Sequence, residues 1–190
     1  MTRLTIALVL GCSWTTLMAD DLFVIDDRRS GDYRASLGNA WRLISDSVMG
    51  GISEGRLTLD RIDDRNCLRL RGDVRLENRG GFLQAAIDLK RSGEAFDAAG
   101  YQGVLLDVYG NDESYNIHLR SSNVWLPWQA YRAAFHAAAG WHTIQLPFAA
   151  FEPYRIGSPL DASRLERLGI VAIGRAFIAD LCVARVALYR

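Results

Sequence analysis

From residue 56 to the end, the chain alternates apolar and polar side chains with a period of two, interrupted every eight to twelve residues by Gly, Asn, Asp or Pro. Successive side chains of a strand point to opposite faces, so this period suits strands with one face in a core and one in water. Strands are predicted over Arg56–Arg61, Cys67–Leu76, Phe82–Leu89, Gly103–Tyr109, Tyr115–Arg120, Trp128–Ala137, Trp141–Pro147, Leu165–Ile173 and Phe177–Tyr189. Many short strands at this spacing specify an all-β, antiparallel sandwich. Turns are expected at Asn66, Arg79-Gly80-Gly81, Gly110-Asn111-Asp112 and Gly140, residues that accept positive φ or start a turn cheaply. Ala133–Ala139 is rich in alanine, yet Tyr131 and Phe135 alternate and Gly140-Trp141 restarts a strand, so it is read as extended. Asp161 is placed as the N-cap of one helical turn reaching Glu166. Phe148 to Ser163, with Pro153 and Pro159 inside it and Pro147 before it, is read as a long surface loop pinned by Phe151 and Tyr154.

The first twenty residues follow a different rule. Arg3 is followed by an apolar run from Leu4 to Gly11, then Leu17-Met18-Ala19 ahead of Asp20-Asp21. A positive start, an apolar stretch too short to span a bilayer and a small residue at the cut predict a secretory leader cleaved after Ala19. Val9-Leu10-Gly11-Cys12 offers the alternative of a lipoprotein signal with Cys12 modified. Residues 20–190 then form one domain, directed to the periplasm or secreted, without stable membrane insertion. Only Arg3 is lost among the charges, leaving a formal charge of −1 from an original balance of 22 basic and 22 acidic residues. With no basic excess to neutralise phosphates, nucleic acid is excluded as a partner class. Cys67 and Cys182 remain, either as a disulfide in an oxidising compartment or as two isolated buried thiols.

Alternation also sorts side chains by face. Leu68, Leu70, Val74 and Leu76 oppose Arg69, Arg71, Asp73 and Arg75, and Tyr115, Ile117 and Leu119 oppose Asn116, His118 and Arg120. One sheet face is expected to carry Asp107, Tyr109, His118, Arg120, Trp128, Arg132 and Gln145. Aromatic rings stack on the apolar side of a pyranose while Arg, Asp and Gln bond its hydroxyls, so this face, with Trp125, suits a glycan; an ordinary solvated face carries similar residues.

Catalytic chemistry is not signalled. Gly-x-Ser-x-Gly, His-Glu-x-x-His, zinc-spaced cysteines and phosphate-binding glycine loops do not occur. His118, His136 and His142 sit on different predicted strands with no carboxylate at fixed spacing, so no metal site, cofactor or catalytic residue is assigned. Asp26, Asp27 and Asp32 suit a solvated acidic arm, or a structural Ca²⁺ if they converge.

One segment is too particular for a generic turn: Trp41-Arg42-Leu43-Ile44-Ser45-Asp46-Ser47-Val48-Met49-Gly50-Gly51-Ile52-Ser53-Glu54-Gly55. Gly50-Gly51 permits backbone angles that a β-carbon forbids, Asp46 can accept backbone N–H bonds, Ser53 can cap the loop, Met49 can plug the sandwich end and Trp41 belongs in the core. The segment resembles the Trp…Asp-x-Val-Met-Gly-Gly-x-Ser-x-Gly opening of the complex I intermediate-associated protein family, thirty-kilodalton type. Glu77-Asn78-Arg79-Gly80-Gly81-Phe82, Tyr101-Gln102-Gly103 and Trp141 through Leu146-Pro147-Phe148 to Phe151 resemble that family's later landmarks in the same order, so the resemblance spans about residues 23 to 188. It implies a galactose-binding-like jelly roll without catalytic residues and, from members that hold respiratory-complex intermediates, a protein partner. Asp46, Ser47, Met49, Gly50, Gly51, Ser53, Glu77, Asn78 and Arg79 are then candidate contacts; a self-bonded structural loop is the other reading. The leader departs from the family pattern, because assembly on the matrix side requires a chain that is not exported.

Overall fold

The structure is a computed structural model that describes residues 21–90 and 92–190, the side chain of Arg79 apart. The leader, its cut after Ala19 and Cys12 lie outside the described residues. Among the described residues, twelve strands form two antiparallel sheets. They are β1 (Leu22–Asp26), β2 (Arg42–Ser45), β3 (Glu54–Ile62), β4 (Arg65–Val74), β5 (Phe82–Asp88), β6 (Gly103–Gly110), β7 (Glu113–Ser121), β8 (Ala130–Ala137), β9 (Gly140–Pro147), β10 (Glu152–Tyr154), β11 (Leu165–Ile173) and β12 (Phe177–Tyr189). The first sheet runs β3-β4-β12-β6-β9, with β1 also on β12; the second runs β10-β8-β7-β11-β5-β2. This is the all-β antiparallel sandwich that the alternation implied, in the jelly-roll form that the family resemblance implied.

Strand β12 is the spine of the first sheet. Its first half pairs with β4 (Phe177↔Val74 to Val183↔Leu68) and its last residues with β1, while β6 takes the other edge from Cys182↔Tyr109 to Tyr189↔Gly103. A bulge between Val183 and Arg185 shifts the parity, so Leu181 and Val183 point inward before it and Val186 and Leu188 after it. The core between the sheets is continuous, with Leu68, Leu70, Leu106, Val108, Ile117, Leu119 and Ile170 all buried. Tyr115 crosses it: its ring packs on Phe135 and Phe177, while its hydroxyl accepts from the Asp180 amide and donates to Asn111 Oδ1. Burial pushes that phenol up to about 12, so it stays a neutral donor.

Several boundaries differ from the sequence reading. The β3–β4 hairpin turns at Asp63-Asp64, both at positive φ, and Asn66 lies inside β4; a two-residue hairpin needs positive φ at both central positions, which Asp tolerates. Leu76 leaves β4 and is half exposed rather than inward. Within the expected loop, Phe151 is buried as an anchor, but Glu152–Tyr154 adds an edge strand to β8 and Tyr154 faces solvent. The Asp161 cap is present, its carboxylate accepting from Ser163 N at 3.1 Å.

The acidic N-terminal stretch is not a solvated arm. Asp26 is buried, pairs with buried Arg28 at 2.6 Å and accepts the Trp41 indole N–H at 2.6 Å. Arg28 also donates to the Asp32 and Arg34 carbonyls, closing residues 26–41 into a clamp. Asp27 and Asp32 turn to Ser36 and to the Arg34 amide. Cys67 on β4 and Cys182 on β12 are bonded, with Cα atoms 5.5 Å apart and both side chains buried. The bond closes a loop of 115 residues, and loops of this size lose the most unfolded-state entropy when closed. Replacing both cysteines by Ala is expected to lower unfolding free energy by about 2–5 kcal/mol, measured by guanidinium denaturation with and without reductant; equal midpoints would contradict it.

Candidate functional site

The glycine-rich motif forms a carboxylate socket. Strand β2 ends in the second sheet and β3 begins in the first, so residues 46–53 cross between sheets; residues 75–81 cross back from β4 to β5. Asp46, fully buried, ties the two crossings together. It accepts from Ser53 N at 3.0 Å, Ser53 Oγ at 2.5 Å, Gly81 N at 2.5 Å and Phe82 N at 3.3 Å. The Ser53 hydroxyl also accepts from Arg75 N at 3.0 Å. A β-carbon on Gly51 would lie 2.3 Å from the Asp46 carboxyl carbon, and one on Gly80 would lie 2.4 Å from its Oδ2. Both glycine pairs therefore serve one carboxylate, with Gly50 and Gly81 at positive φ turning the chain on either side. Burial pushes Asp46 up, but the Ser53 hydroxyl and then the Gly81, Ser53 and Phe82 amides outweigh it and hold the carboxyl below its ordinary 3.8.

What the socket leaves outside is small. Ser47 bonds Ser45, Glu77 accepts from Arg75, and Asn78 takes positive φ of 57°. Val48 at 71% and Met49 at 54% exposure form the tip, so Met49 points into solvent and does not plug the sandwich end.

The single sheet face expected from alternation divides in two. Asp107, Tyr109 and Gln145 lie on β6 and β9 of the first sheet, whereas His118, Arg120 and Arg132 lie on β7 and β8 of the second. Alternation fixes inward against outward within a strand and carries nothing about which sheet the strand joins. On the first sheet the polar groups are already matched: Asp107 pairs with Arg185 at 2.9 Å and accepts from Thr143 at 2.7 Å, and Tyr109 packs edge-on to Trp141. A shallow cavity of about 530 Å³ beside them is lined by Arg28, Arg65, Asp107 and Arg185 among others.

The second sheet is arranged differently. Its register sets Arg42, Ala86, Gly169, His118, Arg132 and Glu152 in one row across the outer face. Ala86 at its centre is buried, and the Gln84 side chain lies over Gly169. His118 is 8% exposed and its Nε2 has no partner; burial, then the neighbouring Arg132, pushes its imidazole down to about 3, so it is neutral. At one end Asp88 accepts two bonds from Arg42 and one from Arg167 Nε at 2.7 Å.

Beyond the β7 end lies the loop Ser122–Gln129, which carries Trp125 at 83% and Trp128 at 46% exposure. Arg120 Nη1 donates to the Leu126, Pro127 and Gln129 carbonyls and Nη2 to Val124, while Gln129 Oε1 accepts from the Trp125 and Leu126 amides. Gln129 Nε2 and Asn123 Nδ2 fasten this loop to Arg155 and Ser158. Tyr154 stands beside it on β10, with Arg132 stacked 3.5 Å from its ring centre. Two exposed indoles are thus carried on a backbone braced by Arg120 and Gln129. Arg120 acts through this loop as a positioning residue, and Tyr154, Arg155 and Gln129 were not among the sequence-predicted site residues.

The chain matches the family Complex I intermediate-associated protein 30 over residues 32–179. It belongs to that family. Among solved structures, its fold is similar to a family 11 carbohydrate-binding module from Clostridium thermocellum in complex with a beta-1,3-1,4-mixed-linked tetrasaccharide, with TM-score 0.69 and 13% identity over 88% of this chain and 95% of that one. A family 30 carbohydrate-binding module is similar at TM-score 0.55 and 16% identity over 73% and 81%. No curated protein matches the sequence. Among the described residues, no cluster of three or more His, Cys, Asp or Glu could hold a metal ion, and no helix is long and apolar enough to cross a membrane.

In this family member the two glycine-rich landmarks are the two halves of the Asp46 socket. Asp46→Ala removes the acceptor of the Ser53, Gly81 and Phe82 amides and is expected to cost on the order of 3–5 kcal/mol, read by urea denaturation. The folded carboxyl titrates below the unfolded one, so its contribution is complete above the unfolded value of 3.8 and is lost as pH falls through the folded value. Acid unfolding of the variant should lack that component; an unchanged acid limb and midpoint would remove the socket's structural role.

Proposed function

We propose that the protein is an exported, non-catalytic binding module that takes a saccharide chain on the outer face of its second sheet, against Trp125 and Trp128. The observation that carries this reading is the bonding of the Ser122–Gln129 loop, where Arg120 and Gln129 direct six hydrogen bonds to a backbone that presents two indoles to solvent. Bracing the backbone that carries the rings lowers the ordering cost of binding, and flat aromatic faces match the C–H face of a pyranose. His118 and Arg132, cross-strand neighbours on β7 and β8, supply polar groups on the same outer face. The saccharide in the fold-similar family 11 module favours the same ligand class.

Export is part of the proposal. It is supported by the apolar run after Arg3 and by the Cys67–Cys182 bond, which forms in oxidising compartments. The non-catalytic part rests on the lack of nucleophile, metal and nucleotide motifs in the sequence. A protein partner is the second reading, favoured by Val48 and Met49, which the Asp46 socket holds outside the fold; the family's name points to such a partner.

Trp125→Ala and Trp128→Ala are each expected to weaken binding to any glycan retained on an array by about tenfold or more, the ~1.4 kcal/mol of an interface anchor. Thermal stability should be nearly unchanged, because both rings are exposed. Absence of binding to every arrayed glycan would falsify the saccharide reading and leave the protein partner.

A further inference from the structure

The cations of the second sheet's outer face are not treated alike. Arg42 and Arg167 share Asp88, Lys90 pairs with Glu166, and Arg175 pairs with Glu113. Arg120, Arg132 and Arg155, at the end next to the tryptophan loop, have no carboxylate within ion-pair distance among the described residues. Arg120 is consumed by neutral carbonyls. Arg132 and Arg155 instead share the Tyr154 ring, their guanidinium carbons 3.5 and 5.4 Å from its centre. Glu152 is the cross-strand neighbour of Arg132 yet makes no ion pair with it.

A guanidinium stacked on a ring is oriented by its π face while its N–H edge stays available, the geometry that meets a carboxylate or sulfate through paired bonds. Arg132 Nε is buried and has no partner. Two like charges held on one ring repel, and a bound anion removes that repulsion. Neutral His118 beside them adds no charge of its own. The chain as a whole carries no net charge, so this uncompensated pair is a local feature and not a share of a general excess.

We propose that the saccharide taken by this face is anionic, with a carboxylate or sulfate substituent seated on Arg132 and Arg155 while neighbouring rings stack on Trp125 and Trp128. The proposal rests on the saccharide reading above and names its ligand class. It assigns Tyr154 as the residue that positions the two guanidiniums.

The test is affinity electrophoresis and calorimetry of the full domain with three polymers: neutral mixed-linkage β-glucan, carboxylated polygalacturonate and sulfated carrageenan. The expected result is that at least one acidic polymer binds ten times or more tightly than the glucan, with affinity falling as salt rises from 50 to 500 mM. The acidic polymer that binds identifies carboxylate or sulfate as the group read. Arg132→Gln with Arg155→Gln should remove that preference, and Arg56→Gln, an exposed cation on the first sheet, should leave it intact. If circular dichroism shows the double variant unfolded, Arg155→Gln alone, on an exposed side chain, carries the test with an expected loss of several-fold. Equal binding of glucan and acidic polymers, an unaffected arginine variant, or an equal loss in Arg56→Gln would overturn the anionic assignment while leaving the saccharide reading standing. No binding to any of the three, together with an empty glycan array, would end both.

Discussion

A single buried carboxylate holds the two halves of this sandwich in register. Asp46 receives donors from both chain crossings at one end of the fold, Ser53 on the way into the first sheet and Gly81 and Phe82 on the way back to the second. An ionised carboxylate without water is costly, so the site persists only because its lone pairs are filled by donors fixed in place. The close approach also explains why residues 51 and 80 cannot carry a side chain, since each contacts Asp46 well inside van der Waals distance of where a β-carbon would stand. Two separate sequence landmarks therefore record one physical requirement.

The remaining restraints act on the first sheet. The Asp26–Arg28–Trp41 clamp seats β1 on β12, and the Cys67–Cys182 bond fixes β4 to the same strand. The second sheet relies on Asp88, which joins β2, β5 and β11 through Arg42 and Arg167. Its carboxyl is pushed up by partial burial, yet the two arginines prevail and keep it ionised below the usual range. With these contacts in place, the β7–β8 end can carry an exposed aromatic loop without loss of order, because Arg120 supplies the bonds that a solvated loop would draw from water.

The sequence exposed much of the fold and less of the site. Strands with strong alternation, such as Tyr115–Arg120 and Phe177–Tyr189, were legible because inward and outward residues differ in polarity at every step. Short β1, β2 and β10 were not, since three to five residues hold too little periodicity and are fixed by pairing with distant strands. The grouping of Asp107 with His118 failed for the same reason: sheet membership is decided by long-range pairing. Asp46 was legible as an acceptor of backbone N–H bonds and Ser53 as a loop cap, but the donors Gly81 and Phe82 come from a second segment. The Trp125-Leu126-Pro127 run was the available signal for the aromatic loop, although Trp128 was assigned to the following strand, which begins only at Ala130; Tyr154 and Arg155 had none, because only the pairing of β10 with β8 brings them there.

A carboxylate socket ties the two chain crossings together, and the aromatic and arginine surface on the second sheet is the proposed binding face. The chain has five tryptophans, and four fall within the described residues: Trp41 in the core, Trp141 half-buried against Tyr109 on the first sheet, and two presented on the loop. The most direct measurement is an NMR titration of the indole N–H signals with mixed-linkage glucan and polygalacturonate oligosaccharides. The account predicts that Trp125 and Trp128 shift saturably while Trp41 and Trp141 remain still; shifts confined to Trp141, or none at saturating oligosaccharide, would contradict it.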